Sequence, residues 1–228
     1  MRAAGRPDTA MERGERWASH WGSGYSHDFK MREVRPLIEQ IDRAGLLGDR
    51  ILDAGCGSMP SDGPVYPLGG KKIVRMDIGA PERTLVSNDI LQMKCDIENL
   101  TKEDLAMAFG HVGAKGTFSA IMFLDILNYV DSERTLGFFL RFLERGGRMI
   151  ISNFANMGIE SLFSDKRPTT NLELLGQVSR LGLDIEHLYH PPLIPPWLPG
   201  SEPYSRPRYP SLMPGRERGS MIVVAARG

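Results

Sequence analysis

At 228 residues the chain is sized for one α/β domain, and its formal charge is zero, from 28 Lys+Arg against 28 Asp+Glu. That balance lacks the basic excess of most nucleic-acid binders, and two cysteines, Cys56 and Cys95, exclude a disulfide-built secreted scaffold. No C-x-x-C pair and no Cys/His cluster suggests a metal, the start MRAAGRPDTAMERGERW has no apolar signal region, and the longest apolar runs are too short for a bilayer. A protein of the reducing cytoplasm, with no membrane partner, is the expectation.

Residues 1–16 are polar and mixed in charge, and read as a disordered tail ahead of a single domain over 17–228. Residues 17–30, WASHWGSGYSHDFK, interleave two Trp, a Tyr, a Phe and two His with Gly and Ser. Val34, Leu37, Ile38 and Ile41 then follow helical spacing, with Pro36 tolerable in the first turn and Gly45 and Gly48 as punctuation. Residues 50–54, RILDA, form a short buried strand running into a glycine turn at Gly55-Cys56-Gly57. Further strands are expected over 72–77 and 91–95. Thr101 and Asp104 make a capping box for a helix to about Phe109. Residues 117–123 are the most apolar strand. Leu136, Phe139, Leu140 and Leu143 describe an amphipathic helix that Gly146-Gly147 stops. A strand over 148–153, a helix over 171–181 with Gly182 at its end, a strand over 183–189 and a final strand over 219–226 complete the chain. Residues 190–215 hold 9 of the 16 prolines and form a stiff loop. Strands alternating with helices mean a doubly wound, mostly parallel sheet with helices on both faces, and ligands of such sheets bind beyond the carboxyl ends of the strands.

The glycine turn lies at such an end. Glycines there reach positive φ and let backbone approach a ligand. A dinucleotide fingerprint G-x-G-x-x-G needs a third glycine where Pro60 stands, which disfavours a nicotinamide cofactor. Asp77 follows Gly57 by 20 residues and ends the second strand, where a carboxylate can accept from a ribose diol. Asp96 follows the third strand and can accept from an adenine amine. Each of these residues also has a plain structural reading: the glycines as a turn, Asp77 and Asp96 as caps.

Five stretches in order, ILDAGCGS, VRMDIG, CDIENL, FSAIMFLDILNYV and FLERGGRMIISN, resemble the motifs of class I S-adenosylmethionine-dependent methyltransferases over residues 51–153. The resemblance implies a seven-stranded Rossmann-like sheet, S-adenosylmethionine as cofactor and methyl transfer to a small molecule, such as a secondary metabolite. It implies that Asp53, Gly55 and Gly57 surround the methionine part, that Asp77 holds the ribose with Ile78 against the adenine, and that Asp96 and Ile97 frame the adenine. Phe123 and Leu124 would pass beneath the cofactor. Residues 58–70, SMPSDGPVYPLGG, depart from the pattern, because the prolines shorten or break the helix expected there.

Candidates for acid–base or orienting work are Asp125 after the fourth strand, His27 and His190. Candidate acceptor-binding residues are Trp21, Tyr25, Tyr129, Asn153 and Trp197. Residues 17–48 would form a lid whose aromatics exclude water and attract a sulfonium, and 190–215 one wall of the acceptor pocket. The rival readings are an RNA or protein methyltransferase, and a non-catalytic sensor or scaffold that binds the cofactor or its demethylated product. A homodimer is allowed by the sequence.

Overall fold

The computed structural model describes residues 35–57, 69–80, 84–113, 116–155, 169–189 and 219–228. In chain order these form α1 (Arg35–Arg43), β1 (Arg50–Ala54), β2 (Lys72–Asp77), β3 (Thr84–Ser87), β4 (Ile90–Lys94), α2 (Lys102–Val112), β5 (Phe118–Leu124), α3 (Ser132–Leu140), β6 (Leu143–Ala155), α4 (Asn171–Arg180), β7 (Leu183–Tyr189) and β8 (Gly219–Arg227). The eight strands make one sheet in the order β3-β4-β2-β1-β5-β6-β8-β7. β4, β2, β1, β5 and β6 run parallel; β8 is antiparallel to both β6 and β7, and β3 is antiparallel to β4.

Strands covered on both faces read as unbroken apolar runs, and β5, FSAIMFL, is buried at all seven positions. Alternate residues feed two cores. On one face Leu52, Val74, Leu91, Phe123 and Ile151 pack with Ala108 of α2, Leu136 and Phe139 of α3 and Leu174 of α4. On the other, Ile51, Ile73, Ile90, Met122 and Ile150 pack with Ile38 and Ile41 of α1 and with Leu47. Helices therefore lie on both faces.

Helix starts follow the sequence signals. Thr101 and Asp104 form the anticipated capping box at α2, Thr170 and Glu173 form a second at α4, and Asp131 caps α3 by accepting from the Arg134 amide at 3.1 Å. At the amino edge of the sheet the Ser119 hydroxyl shares its one proton between Arg50 O at 2.8 Å and Leu47 O at 3.1 Å, and accepts from Arg50 N at 3.0 Å. A Cβ at Gly48 would overlap Ser119, so glycine is required where the chain enters β1.

Two expectations are corrected. Among the described residues the sheet has eight strands, not seven: the added β3 is a four-residue edge strand in the stretch between β2 and β4. The amphipathic helix over 136–143 ends at Leu140. Leu143 opens β6 instead and pairs with Phe118, with Gly146 at φ 73 inside that long strand. Helical spacing at four apolar positions did not distinguish a full helix from a two-turn helix followed by a buried strand residue.

Candidate functional site

Chain order climbs from β1 to β2 and β4 on one side of the sheet, and from β5 to β6 on the other. The direction reverses between β1 and β5, and the carboxyl ends there flank the crevice where ligands of doubly wound sheets bind. The residues at that edge are Gly55-Cys56-Gly57 after β1, Asp77 at the end of β2, Asp96 after β4 and Asp125 after β5.

Asp77 laces two turns together. Its Oδ2 accepts from the Gly57 amide at 2.9 Å and its Oδ1 from the Gly79 amide at 2.7 Å. The backbone closes the same corner: the Gly55 and Cys56 amides donate to Met76 O at 2.7 and 3.1 Å, and the Cys95 amide donates to Asp77 O at 3.1 Å. Gly55 and Gly57 sit at φ 83 and 85, in the left-handed region that side chains resist. They differ in their surroundings. A Cβ on Gly55 would overlap Ile126, whereas one on Gly57 meets nothing within 4 Å among the described residues.

Asp96 is occupied by its own turn, accepting from the Glu98 amide at 3.0 Å and from Asn99 Nδ2 at 3.0 Å. Ile78 is half-buried beside Asp77, while Ile97 is 6% exposed and belongs to the larger core. Phe123 is fully buried against the Phe139 ring, with centroids 5.5 Å apart, so only its backbone lies near the crevice. Leu124 points to the opposite core.

Asp125 has the one positive φ among the described non-glycine residues, 62°. Its amide donates to Ser152 O at 3.0 Å, and the buried Ser152 hydroxyl donates to its Oδ1 at 2.5 Å. A carboxylate held in a sparsely populated backbone state by a neighbouring strand is a recurrent feature of functional sites. Tyr129 follows in a turn closed by its amide on Ile126 O at 3.0 Å and is half-buried. Asn153 is 1% exposed, and its Nδ2 donates to Thr169 O at 2.9 Å and Asn171 Oδ1 at 3.1 Å. It ties the end of β6 to the start of α4. Trp21, Tyr25, His27, His190 and Trp197 lie outside the described residues, as do the tail 1–16 and the loop 190–215. Of the expected lid 17–48, residues 35–48 are described, and they carry α1.

No motif assigns a role to Arg75, Gln92 or Ser152, and the structure adds them beside this edge. Arg75 and Gln92 interrupt the apolar centres of KIVRMD and ILQMK, whose central residues are buried. That interruption was the available signal. Ser152 carries no such mark; its role depends on the turn of Asp125.

The two thiols differ in burial. Burial, then the carboxylates of Asp104, Asp77 and Asp96, push the Cys95 thiol up from its ordinary 9.0 to about 12. A folded pKa above the unfolded one stabilises the protein below pH 9, and that contribution is lost as pH rises from 9 toward 12. Cys56, in the glycine turn, is partly exposed. At pH 8 a chromogenic disulfide reagent is expected to titrate one fast thiol, Cys56, and to reach Cys95 only on unfolding. Two fast thiols in the native protein would contradict this placement.

No family model and no curated protein matches the sequence. Solved structures do. N-methyltransferase NodS from Bradyrhizobium japonicum WM9, in complex with S-adenosyl-L-homocysteine, superposes with a TM-score of 0.59 at 11% identity, covering 96% of this chain and 99% of that one. The 1,6-didemethyltoxoflavin-N1-methyltransferase from Burkholderia thailandensis, with bound 1,6-didemethyltoxoflavin and S-adenosylhomocysteine, gives 0.57 at 13% identity, covering 98% and 92%. The magnesium protoporphyrin IX methyltransferase from Synechocystis PCC 6803, with bound S-adenosylhomocysteine, gives 0.56 at 15% identity, covering 94% and 93%. The chain has the fold of the class I S-adenosylmethionine-dependent methyltransferases.

Proposed function

We propose that the protein is an enzyme that transfers a methyl group from S-adenosylmethionine to a small-molecule acceptor. The observation that carries this reading is the corner built by Gly57 and Asp77 at the switch point of a sheet with this fold. The residues suit that cofactor. An ionised carboxylate has about four acceptor sites, so Asp77 would accept a ribose diol while its two oxygens keep the Gly57 and Gly79 amides. Among the described residues, nothing would meet a Cβ at Gly57, so its backbone is open to a ligand. Ile78 would face the adenine, with Asp96 and the backbone of Ile97 at its edge. Asp53, Gly55 and the backbone of Phe123 and Leu124 would line the methionine end.

S-adenosylmethionine supplies an electrophilic methyl on a sulfonium and is released as the neutral thioether S-adenosylhomocysteine. The chain then has to align the acceptor, exclude water and, where the acceptor carries a proton, receive it. Alignment can supply about 7–11 kcal/mol of the barrier reduction. Asp125, which follows β5 and accepts from the Ser152 hydroxyl, is the first residue proposed to orient the acceptor or take its proton. His27 and His190 are the other proposed bases, and Trp21, Tyr25, Tyr129, Asn153 and Trp197 the proposed acceptor contacts. The names of the similar structures, a magnesium protoporphyrin IX methyltransferase and an enzyme with bound 1,6-didemethyltoxoflavin, support a small-molecule acceptor, and the first of them a bulky, partly apolar one. A cytoplasmic location and a homodimer belong to the same proposal.

Thermal unfolding with S-adenosylmethionine, S-adenosylhomocysteine and NAD tests it. At 100 times its dissociation constant a ligand of the folded state adds about 2.7 kcal/mol, or roughly 5–11 °C for a chain of this size. The expected result is a shift with the first two only, together with slower modification of Cys56 by the disulfide reagent. No shift with either, in folded protein, would overturn the reading. Binding of both without methyl transfer to any acceptor in a small-molecule, RNA and protein screen would favour the sensor.

A further inference from the structure

The face of the sheet that carries the smaller core changes character in three steps along β1, β2 and β4. Its floor is apolar, formed by Ile51, Ile73 and Ile90. The next residues on that face are Asp53, Arg75 and Gln92, in register on neighbouring strands, with Asp53 opposite Arg75 and Arg75 opposite Gln92. One further step reaches Gly55, Asp77 and Lys94 at the ligand edge. The middle row is buried: Asp53 is 3% exposed, Arg75 5% and Gln92 0%. Arg75 Nε lies 3.8 Å from Asp53 Oδ2, and Arg75 Nη1 donates to Gln92 Oε1 at 3.4 Å.

This row is expensive for the fold. Two charges have lost most of their water, and an apolar replacement of a buried ion pair is often neutral or stabilising. Gln92 Nε2 has no hydrogen-bond partner among the described residues. The same row continues across β5 and β6 as Met122 and Ile150, so the sheet accommodates apolar side chains at this level. The polar half stops at β1, directly beneath the glycine turn. A buried charged row one step below the ligand edge, on a sheet whose neighbouring strands are apolar at the same level, points to the ligand.

We propose that Arg75, backed by Gln92, is a positioning residue that fixes the Asp53 carboxylate to receive the ammonium of the cofactor's amino-acid end. This rests on the methyltransferase reading above. A planar guanidinium suits the task, since it presents several donors in fixed directions and orients a carboxylate as the point charge of lysine cannot.

The test compares two probes, S-adenosylhomocysteine and 5′-methylthioadenosine. Both carry the adenosine that Asp77 would hold, but only the first carries the amino-acid end. Arg75→Met is expected to weaken S-adenosylhomocysteine at least tenfold and methylthioadenosine less than threefold, by calorimetric titration. Arg75→Lys and Gln92→Met keep the row polar or charge-neutral and are expected to show the same selective loss at a severalfold level, which covers the case in which Arg75→Met does not fold. Equal loss of both probes would make the row structural and overturn the proposal, as would no loss of either. Wild-type protein that binds neither probe would instead sink the methyltransferase reading itself, an outcome separate from the first two.

Discussion

Replacing Asp77 by alanine is expected to lower both stability and ligand affinity, and the two effects are separable. In the ligand-free protein the Gly57 and Gly79 amides lose charge-assisted bonds of 2.9 and 2.7 Å. At roughly 1.5–3 kcal/mol each, discounted for the half-exposed position, the loss is about 3 kcal/mol, or roughly 6–12 °C in unfolding temperature. Asp77→Asn keeps one acceptor oxygen, so it should lose about half of that. It also removes one acceptor from the diol, and its affinity for S-adenosylhomocysteine should fall about a hundredfold. Calorimetric unfolding without ligand, followed by titration, checks both numbers. Unfolding of Asp77→Ala at the wild-type temperature would mean that the carboxylate does not brace the turns. The asparagine variant is the more informative of the two, because a missing ligand shift in Asp77→Ala mixes lost contact with a loosened corner.

The dual use of Asp77 explains what the sequence disclosed and what it withheld. The spacing from Gly57 to Asp77 was legible because two adjacent parallel strands bring those positions to one edge, and the strand bounds of β1 and β2 follow from short apolar runs cut off by Gly and Asp. The capping box at Thr101 was legible because its hydrogen bonds are local. Features set by partners distant in sequence were not. The edge strand β3 has four residues and little pattern of its own, and it exists because β4 offers an open side. The place of β8 between β6 and β7 depends on pairing, which apolar periodicity does not encode. Arg75 is adjacent in sequence only to apolar residues; its partners, Asp53 and Gln92, come from the two strands beside it. Ile97 and Phe123 show the converse limit. Their motif positions lie at the ligand edge, yet their side chains turn into the larger core, so only backbone is available there.

The two turn glycines should separate on mutation, although the sequence treats them alike. Gly55→Ala meets two obstacles at once, a φ of 83° and an overlap with the Ile126 side chain. Left-handed strain of about 1–2 kcal/mol and overpacking of about 1–3 kcal/mol combine to roughly 2–5 kcal/mol, with loss of the β1–β5 corner and of ligand binding together. Among the described residues Gly57→Ala meets only the first, at φ 85°, and should cost about 1–2 kcal/mol in unfolding experiments. Its effect on S-adenosylhomocysteine should be the larger one, because the space a methyl group enters there is the space proposed for the cofactor's approach to backbone. The ratio of binding loss to stability loss thus distinguishes a glycine kept for packing from a glycine kept for a ligand. If Gly57→Ala bound S-adenosylhomocysteine as tightly as the wild type, the open side of that turn would not face the cofactor. Asp77 would then act at the glycine turn as a brace, and the ribose would have to be held elsewhere along the carboxyl edge.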